Sequence, residues 1–446
     1  MSQPAPGPVG KYRWVICSLL LFSTTINYMD RQVISYLKEF FCTPADQGGF
    51  GWTNTDFAHV TAAFTAFYAG MTIFAGIAID KIGTKLGLAL ALIIWSIFGM
   101  ANAFVGRLPL MHVIVRSIFG IGEAANFPAS IKTVAEWFPK RERALATGIF
   151  NSGTNMGAMI SAVFVPWCLY HYGYQLGWKM AYISTGAIGL VWLIFWFRFY
   201  DSPARQSRLG KAEYDYIHAD DEGQPANLAT GRVPWFQLFG YRQTWAFFFG
   251  KFMTDGVWWF YLFWLPDYLH KQFGMTKQQV MIPTFIVYGV AIFGSIYGGT
   301  IPMTLMKKGM DAYRARMTAM LILAVCPLAV MSTQYFGDVA RFGGMASWLA
   351  VGVICIGAAA HQAWSANLFT TVSDMFPKKA VGSVTGIGAA AGGLGGVIVQ
   401  LVAGWLTDMF PVHAYLTMFI ICGLSYLVAW SLMKAFVPRH RVITDL

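Results

Sequence analysis

The chain has 446 residues, 56% of them hydrophobic and 12% charged, with a mean hydropathy of +0.51. A soluble protein carries roughly twice that density of charge, so most of this surface must be solvated by lipid. The net charge of +11 does not mark a nucleic-acid binder, because the bases cluster between apolar segments, and the six cysteines are scattered without CxxC or metal-ligand spacing.

Residues 1–10, "MSQPAPGPVG", are expected to be a disordered tail rather than a signal peptide, because the apolar run that follows is long enough to span a bilayer and lacks a small-residue cleavage site. Six spans are then expected near Arg13 to Leu37, Asp56 to Ile79, Leu86 to Val105, Leu110 to Trp137, Ala144 to Tyr170 and Trp178 to Tyr200. Residues 11–200 thus read as an N-terminal six-helix bundle. Residues 201–241 are polar, punctuated by Pro and Gly, and read as a linker with a short helix at Lys211 to Ala219. Six more spans follow near Gln243 to Leu269, Gln278 to Met306, Tyr313 to Phe336, Ala346 to Met375, Val381 to Met409 and Ala414 to Phe436. They make a C-terminal bundle over 242–438, with a tail at 439–446. The expected fold is an all-α membrane protein of 12 transmembrane helices in two six-helix bundles. Lys81, Lys85, Lys140, Arg141, Arg143, Lys307, Lys308, Arg314, Arg316, Lys378 and Lys379 all fall in turns on the side of the termini. Both termini and the linker are therefore expected in the cytoplasm.

An ionisable side chain at mid-membrane costs roughly 2.5–3.5 kcal/mol on insertion scales, and such residues usually face a cavity or bundle interior. Asp30, Arg31, Arg116, Glu123, Lys251 and Asp255 qualify. Asp30 and Arg31 are adjacent and sit about 100° apart on a helix, so each needs its own partner. Counted from the expected outer ends of their helices, Asp30 and Arg116 lie at similar depth, about 10 Å in. Glu123 follows Arg116 by two turns on the same face. Asp30 and Glu123 read as proton carriers, with Arg116 pairing to one or the other. Arg31 reads as a fork presented to a substrate carboxylate, which guanidinium matches in a bidentate way. The alternative is a static ion-pair network that fixes helix packing.

The turn "GIAIDKIGTKLG" places Asp80 and Lys81 between the second and third spans, where they either set topology or gate the cytoplasmic end by pairing with helix termini. A Gly, an Asp-Lys pair, a second Gly and further bases at this place resemble the signature of the major facilitator superfamily. The equivalent turn of the second half, "GGTIPMTLMKKGMDAYRAR", keeps glycines and bases without the acid. "NYMDRQVI", "RSIFGIGEAANFPASIKTVAEWFPKRERALATGIFNSG" and "HQAWSANLFTTVSDMFPKKAVGSVTGIG" resemble the anion:cation symporter family, and within it the bacterial hexuronate transporters. The resemblance implies alternating access around a midplane site lined by the first, fourth, seventh and tenth helices. It implies the same roles for Asp30, Arg31, Arg116 and Glu123, and a place in the bacterial inner membrane.

Other side chains have two readings. Tyr68 can hydrogen-bond the cargo or pack; Asn151 and Thr154 can read sugar hydroxyls or glue helices together. Lys251 and Asp255, spaced i, i+4, can neutralise one another; the resemblance to galactonate transporters, which place a substrate-contacting amide at the position of Lys251, implies instead that a cation there meets a second acidic or hydroxyl group. Trp258, Trp259 and Tyr261 can stack on a sugar or anchor the helix. Gln362, Trp364, Asn367 and Thr370 give the tenth span a polar stripe suited to sugar hydroxyls. His361 reads as hydrogen-bonded structure or a proton carrier. The run "GIGAAAGGLGG" lacks the ending of a phosphate loop and suits close packing or a flexible gate.

The expected function is proton-coupled import of an organic anion, a hexuronate or another sugar acid, by a monomer with no cofactor or metal beyond H+. Sodium coupling or exchange is the variant within the same fold. A membrane enzyme is disfavoured by the lack of HExxH or DxD motifs, and a channel by the pairing of acid with base.

Overall fold

In a bilayer every backbone N–H and C=O must be satisfied internally, so long apolar runs fold as helices. The computed structural model describes residues 10–218, 235–439, 441 and 443, and among them there is no strand. The remaining residues of the two tails and of the linker lie outside the described residues.

In the first half α1 spans Tyr12–Cys42, α2 Asn54–Ile82 and α3 Thr84–Ala101. The fourth span is broken into α4 (Pro109–Glu123) and α5 (Asn126–Trp137). The fifth and sixth share α6, Lys140–Phe199, and part at Gly173, where φ of 70° and ψ of 170° suit only glycine well. In the linker, α7 (Lys211–His218) matches the expected short helix and is followed by α8 (Trp235–Leu238).

In the second half α9 spans Arg242–Phe273. The eighth span is α10 (Lys277–Tyr297) with α11 (Thr300–Lys307), and the ninth is α12 (Ala312–Val325), a 3-10 stretch at Cys326–Ser332 and α13 (Thr333–Phe336). After the short α14 (Val339–Phe342) come α15 (Ala346–Met375), α16 (Lys378–Met409) and α17 (Ala414–Phe436).

Eight described segments are long and apolar enough to cross a membrane, and one of them, Leu145–Phe199, is 55 residues long and holds two spans. The three spans outside that set are α1, α4–α5 and α9, and these carry Asp30, Arg31, Arg116, Glu123, Lys251 and Asp255. The charges that lower their hydropathy belong to the candidate site.

The halves meet where α2 packs on α16, α6 on α10 and α1 on α9. Small residues allow the approach. Gly404 lies against Ala58, and Gly393 against Ala69. The glycine run of α16 is a packing surface rather than a loop: Gly392 abuts Asp255, Gly395 the Phe252 carbonyl and Gly396 the Trp259 ring, all on α9.

The end opposite the termini is tied across the halves. Lys38 on α1 pairs with Asp267 on α9 at 2.6 Å, and the Tyr415 hydroxyl of α17 donates to the same carboxylate. Lys38 and Lys271 donate to the Asn54 side chain at 2.8 and 3.0 Å. Asp408 of α16 accepts from the Asn54 and Thr55 backbone N–H groups at 3.0 and 2.7 Å, satisfying the first turn of α2. At the end carrying the termini, the pairs of Arg13 with Glu142 and Glu213, Lys85 with Asp201, and Arg316 with Asp374 each stay within one half or tie it to α7. The Lys85 ammonium holds the Asp201 carboxyl below the ordinary carboxylate range.

Candidate functional site

The centre of the site is Arg31. Its Nε donates to Glu123 Oε2 at 2.9 Å, and Nη2 lies 2.8 Å from the same oxygen as an ion-pair contact, while Glu123 Oε1 has no hydrogen-bond partner. Nη2 also reaches Asn27 Oδ1 at 3.4 Å. Aromatic rings enclose the guanidinium: Tyr28 at 4.3 Å, Tyr68 at 4.5 Å, Trp259 at 5.3 Å and Phe64 at 5.4 Å. Trp259 comes from α9, so the cage closes across the boundary between the halves. Each cation–π contact contributes about 0.5–2 kcal/mol, more where water is excluded.

This differs from the expected pairing. Arg31 does not present an open fork; Glu123 holds it. Arg116 pairs with neither carboxylate, and its one described bond is from Nη2 to the Arg31 carbonyl, a long 3.4 Å; Phe64 and Phe119 rings flank it, each at 4.8 Å. The reason lies in the length of α1. It runs to Cys42, five residues beyond the expected end at Leu37, so Asp30 and Arg31 sit a turn and a half deeper than the depth count assumed. That brings Arg31 to Glu123 rather than Asp30 to Arg116.

Asp30 is fully enclosed, and neither carboxyl oxygen has a hydrogen-bond partner. The Trp95 indole and Thr185 hydroxyl face it outside bonding geometry, and Arg116 and Glu123 are the charges within its electrostatic reach. Trp95 Nε1, Ser96 Oγ, Tyr182 OH and Arg116 Nε and Nη1 are also buried without partners. The interior of the first half is therefore under-satisfied around Asp30, which is unusual for a merely structural core.

In the second half Lys251 and Asp255 do pair, Nζ to Oδ2 at 2.6 Å, with the ammonium 4.6 Å over the Phe369 ring. Trp259 faces the first half, edge-on to Tyr68 at 6.0 Å. Three expected cargo contacts turn away from the cage. Tyr261 packs within the second half, its hydroxyl beside Gly357 on α15 and its carbonyl accepting from Tyr288. Trp364 is buried edge-on to Tyr426 of α17. Asn367 donates to the Gly298 and Ala363 carbonyls, each at 2.9 Å, and so serves the break between α10 and α11. Gln362 and Thr370 are half-buried, and the Thr370 hydroxyl is satisfied by the Ala366 carbonyl. His361 is held by Tyr426 at 2.7 Å and stacked on Trp258 at 5.0 Å, the structural arrangement of its two readings.

On α6, Gly153 lies against α1 near Thr25; Thr154 beside it is buried and Asn151 half-buried. Lys81 is exposed, whereas the Asp80 side chain lies outside the described residues. Gly83, at φ 87°, makes the turn between α2 and α3 a single residue, a role open to glycine alone at little cost.

The sequence reading missed Tyr28 and Phe64 in the cage and the Lys38–Asp267 closure. Tyr28 was findable, since it precedes Arg31 by three residues and shares its helix face. Asp267 also left a signal: a carboxylate directly after Pro266 at the end of a long aromatic run.

The family model described as Major Facilitator Superfamily matches residues 20–399. The chain is similar to the hexuronate transporter of Escherichia coli K12, 28% identical over 426 residues, covering 95% of this chain and 94% of that protein. It is also similar to the galacturonate transporter of Dickeya chrysanthemi, 30% identical over 299 residues that cover 66% of this chain and 83% of the relative. Its fold matches a bacterial homologue of the human lysosomal transporter Spinster, solved inward-facing and unoccupied. There the TM-score is 0.72 at 18% identity, covering 96% of this chain and 97% of that one.

Proposed function

The chain belongs to the major facilitator superfamily and is a multi-pass membrane transporter rather than an enzyme, and we propose that it imports a sugar acid, a hexuronate first among them, together with protons. The Arg31–Glu123 pair carries this reading. Arg31 gives Glu123 one hydrogen bond, Nε to Oε2, with Nη2 in ion-pair contact with the same oxygen and Oε1 left unbonded, so the pair falls short of the two-bond fork that guanidinium forms with a well-placed carboxylate. A cargo carboxylate that takes both fork positions displaces Glu123, and a proton on Glu123 removes the charge that the displacement would strand in a low-dielectric interior. On release the proton leaves and the pair re-forms.

The surrounding residues follow from that exchange. Tyr28, Tyr68 and Trp259 keep water from the guanidinium and offer aromatic faces to a sugar ring. Asp30, buried without a bonding partner, supplies a second proton site, with Arg116 nearby to stabilise its charged form. Moving one negative charge into a cell is opposed by about 2.3 kcal/mol per 100 mV, so two protons with a monoanion turn that opposition into a driving force. With both termini in the cytoplasm, as the Lys and Arg distribution favours, the Lys38–Asp267 closure shuts the outside and the arrangement is the inward-facing one.

The test is uptake of labelled galacturonate into proteoliposomes. An imposed pH gradient, acid outside the vesicles, should drive accumulation at least tenfold over equilibrium, and a sodium gradient should not. Glu123→Gln should abolish accumulation while retaining counterflow. Uptake indifferent to pH, or a Glu123→Gln variant that still concentrates cargo, overturns proton coupling through this residue.

A further inference from the structure

We propose that a buried polar seam between α1 and α10 weighs against the closed state of the far end, the end opposite the termini, and so balances the Lys38–Asp267 closure. Opening the far end gives the seam's amide and hydroxyls to water, and closing it takes that water away.

The seam begins beside the exchange site. Gln32 follows Arg31 directly, and Ser35 and Tyr36 stand three and four residues beyond Gln32 on the same face of α1. All three are enclosed, at 0%, 1% and 5% exposure. Neither end of the Gln32 amide has a hydrogen-bond partner in the protein, nor has the Ser35 or the Tyr36 hydroxyl. Across from them α10 of the second half presents two hydroxyls, Tyr288 to Gln32 and Thr284 to Tyr36, outside bonding geometry. Both are used within their own half: Tyr288 donates to the Tyr261 carbonyl at 3.3 Å and Thr284 to the Val280 carbonyl at 2.7 Å. The polar groups of the first half thus meet the second half without bonding to it.

The same boundary does satisfy a buried amide elsewhere. Gln400 is as fully enclosed as Gln32 and lies where α16 packs on α2. Its oxygen accepts from Trp264 Nε1 at 2.6 Å and from the Thr61 hydroxyl of α2 at 3.2 Å, and its nitrogen donates to the Trp259 carbonyl at 3.1 Å. One seam is saturated across the halves and the other is not. A buried group without a partner carries its full desolvation cost, and apolar groups of the same shape in its place are neutral or stabilising. Here the cost falls on the closed state alone, because the two faces of the seam belong to different halves and part when the far end opens.

The seam and the closure also share one recess, lined by Ser35 and Tyr36 together with Lys38, Asp267, His270 and Val280. Lys38 and Asp267 hold the gap shut at 2.6 Å, while the desolvated groups one to two turns deeper favour its reopening. A transporter must populate both states, and a strong closure with nothing opposing it would hold the chain in one of them.

The experiment removes the polar groups and keeps the shape. Tyr36→Phe loses only the hydroxyl, and Gln32→Met loses the amide at similar length. Cys42, the last residue of α1, reports opening of the far end. With the purified full chain in detergent, a charged maleimide should label Cys42 at least threefold more slowly in each variant than in the parent, followed by mass spectrometry of the Cys42 peptide. The melting temperature should hold or rise. Lys38→Met should label faster than the parent, and Lys38→Met/Tyr36→Phe should return to within threefold of it. Labelling at or above the parent rate in both seam variants overturns the proposal. Tenfold weaker galacturonate binding with unchanged labelling overturns it too, and assigns the groups to cargo hydroxyls. A lower melting temperature with faster labelling also overturns it, since the groups would then support the closed packing rather than oppose it.

Discussion

Arg31 and Lys38 stand two turns apart on α1, and each is a buried cation holding a buried carboxylate. Their surroundings differ. The acid of the Lys38 pair, Asp267, also takes the Tyr415 hydroxyl and the Lys271 ammonium, the last at 3.3 Å. Lys38 shares Asn54 with Lys271, so the cluster draws on α1, α2, α9 and α17 and joins the halves. Glu123 instead keeps one oxygen unbonded, and its pair stays inside the first half. A saturated pair between moving parts is a closure that opens as a unit. An unsaturated pair within one part can exchange partners while the helices stay where they are.

The sharpest way to break that distinction is to change the cation and keep the charge. Arg31→Lys replaces a planar fork with a point charge, and galacturonate should bind about 10- to 100-fold more weakly, about 1.4–2.8 kcal/mol. Lys38→Arg should change affinity by no more than a few-fold, because Asp267 asks for charge rather than a fork. Equal affinity for Arg31→Lys and the parent, measured by calorimetry, would show that the exchange site has no need of bidentate geometry.

How far the sequence anticipated this arrangement follows from the same helix. The spans, the linker helix and the charged positions were readable because lipid enforces length and punishes charge. The partner of Arg31 was not. Residues Lys38 to Cys42 look like a loop entry, since Lys38 and Glu39 are charged, yet they continue α1 because Asp267 and Asn54 from elsewhere absorb Lys38. Tyr261, Trp364 and Asn367 failed for a related reason. Helical spacing tells which residues share a face, whereas the neighbour met by that face depends on how α9, α15 and α17 are rotated against one another.

A smaller effect separates the closure from the site. Removing Lys38 leaves Asp267 with Lys271 and Tyr415, so the loss stays below the about 3–5 kcal/mol of a fully stranded buried charge, and it falls on one conformation only. Lys38→Met should therefore shift the population toward the state open at the far end. Cys42, at the end of α1 beside this cluster and half-buried, is a native reporter. A membrane-impermeant maleimide added outside should label it at least tenfold faster in Lys38→Met than in the parent. Galacturonate affinity should move by less than that factor. Unchanged labelling would mean that Lys38 and Asp267 do not hold the far end shut.

The smallest expected effect tests the residue whose assignment changed most. Asn367 was a candidate for sugar hydroxyls and instead donates to Gly298 and Ala363. α10 ends at Tyr297 and α11 begins at Thr300, so the Gly298 carbonyl sits at a break in the hydrogen-bond ladder, and lipid offers it no donor. Asn367→Ala should remove about 1–3 kcal/mol from the folded state, lowering the melting temperature by a few degrees while the KM for galacturonate stays within twofold. The opposite pattern, an unchanged melt with a tenfold higher KM, would return Asn367 to the cargo site. It would also mean that α15 turns its polar stripe toward the cleft during transport, making Asn367 part of the exchanging machinery rather than of the frame that holds it.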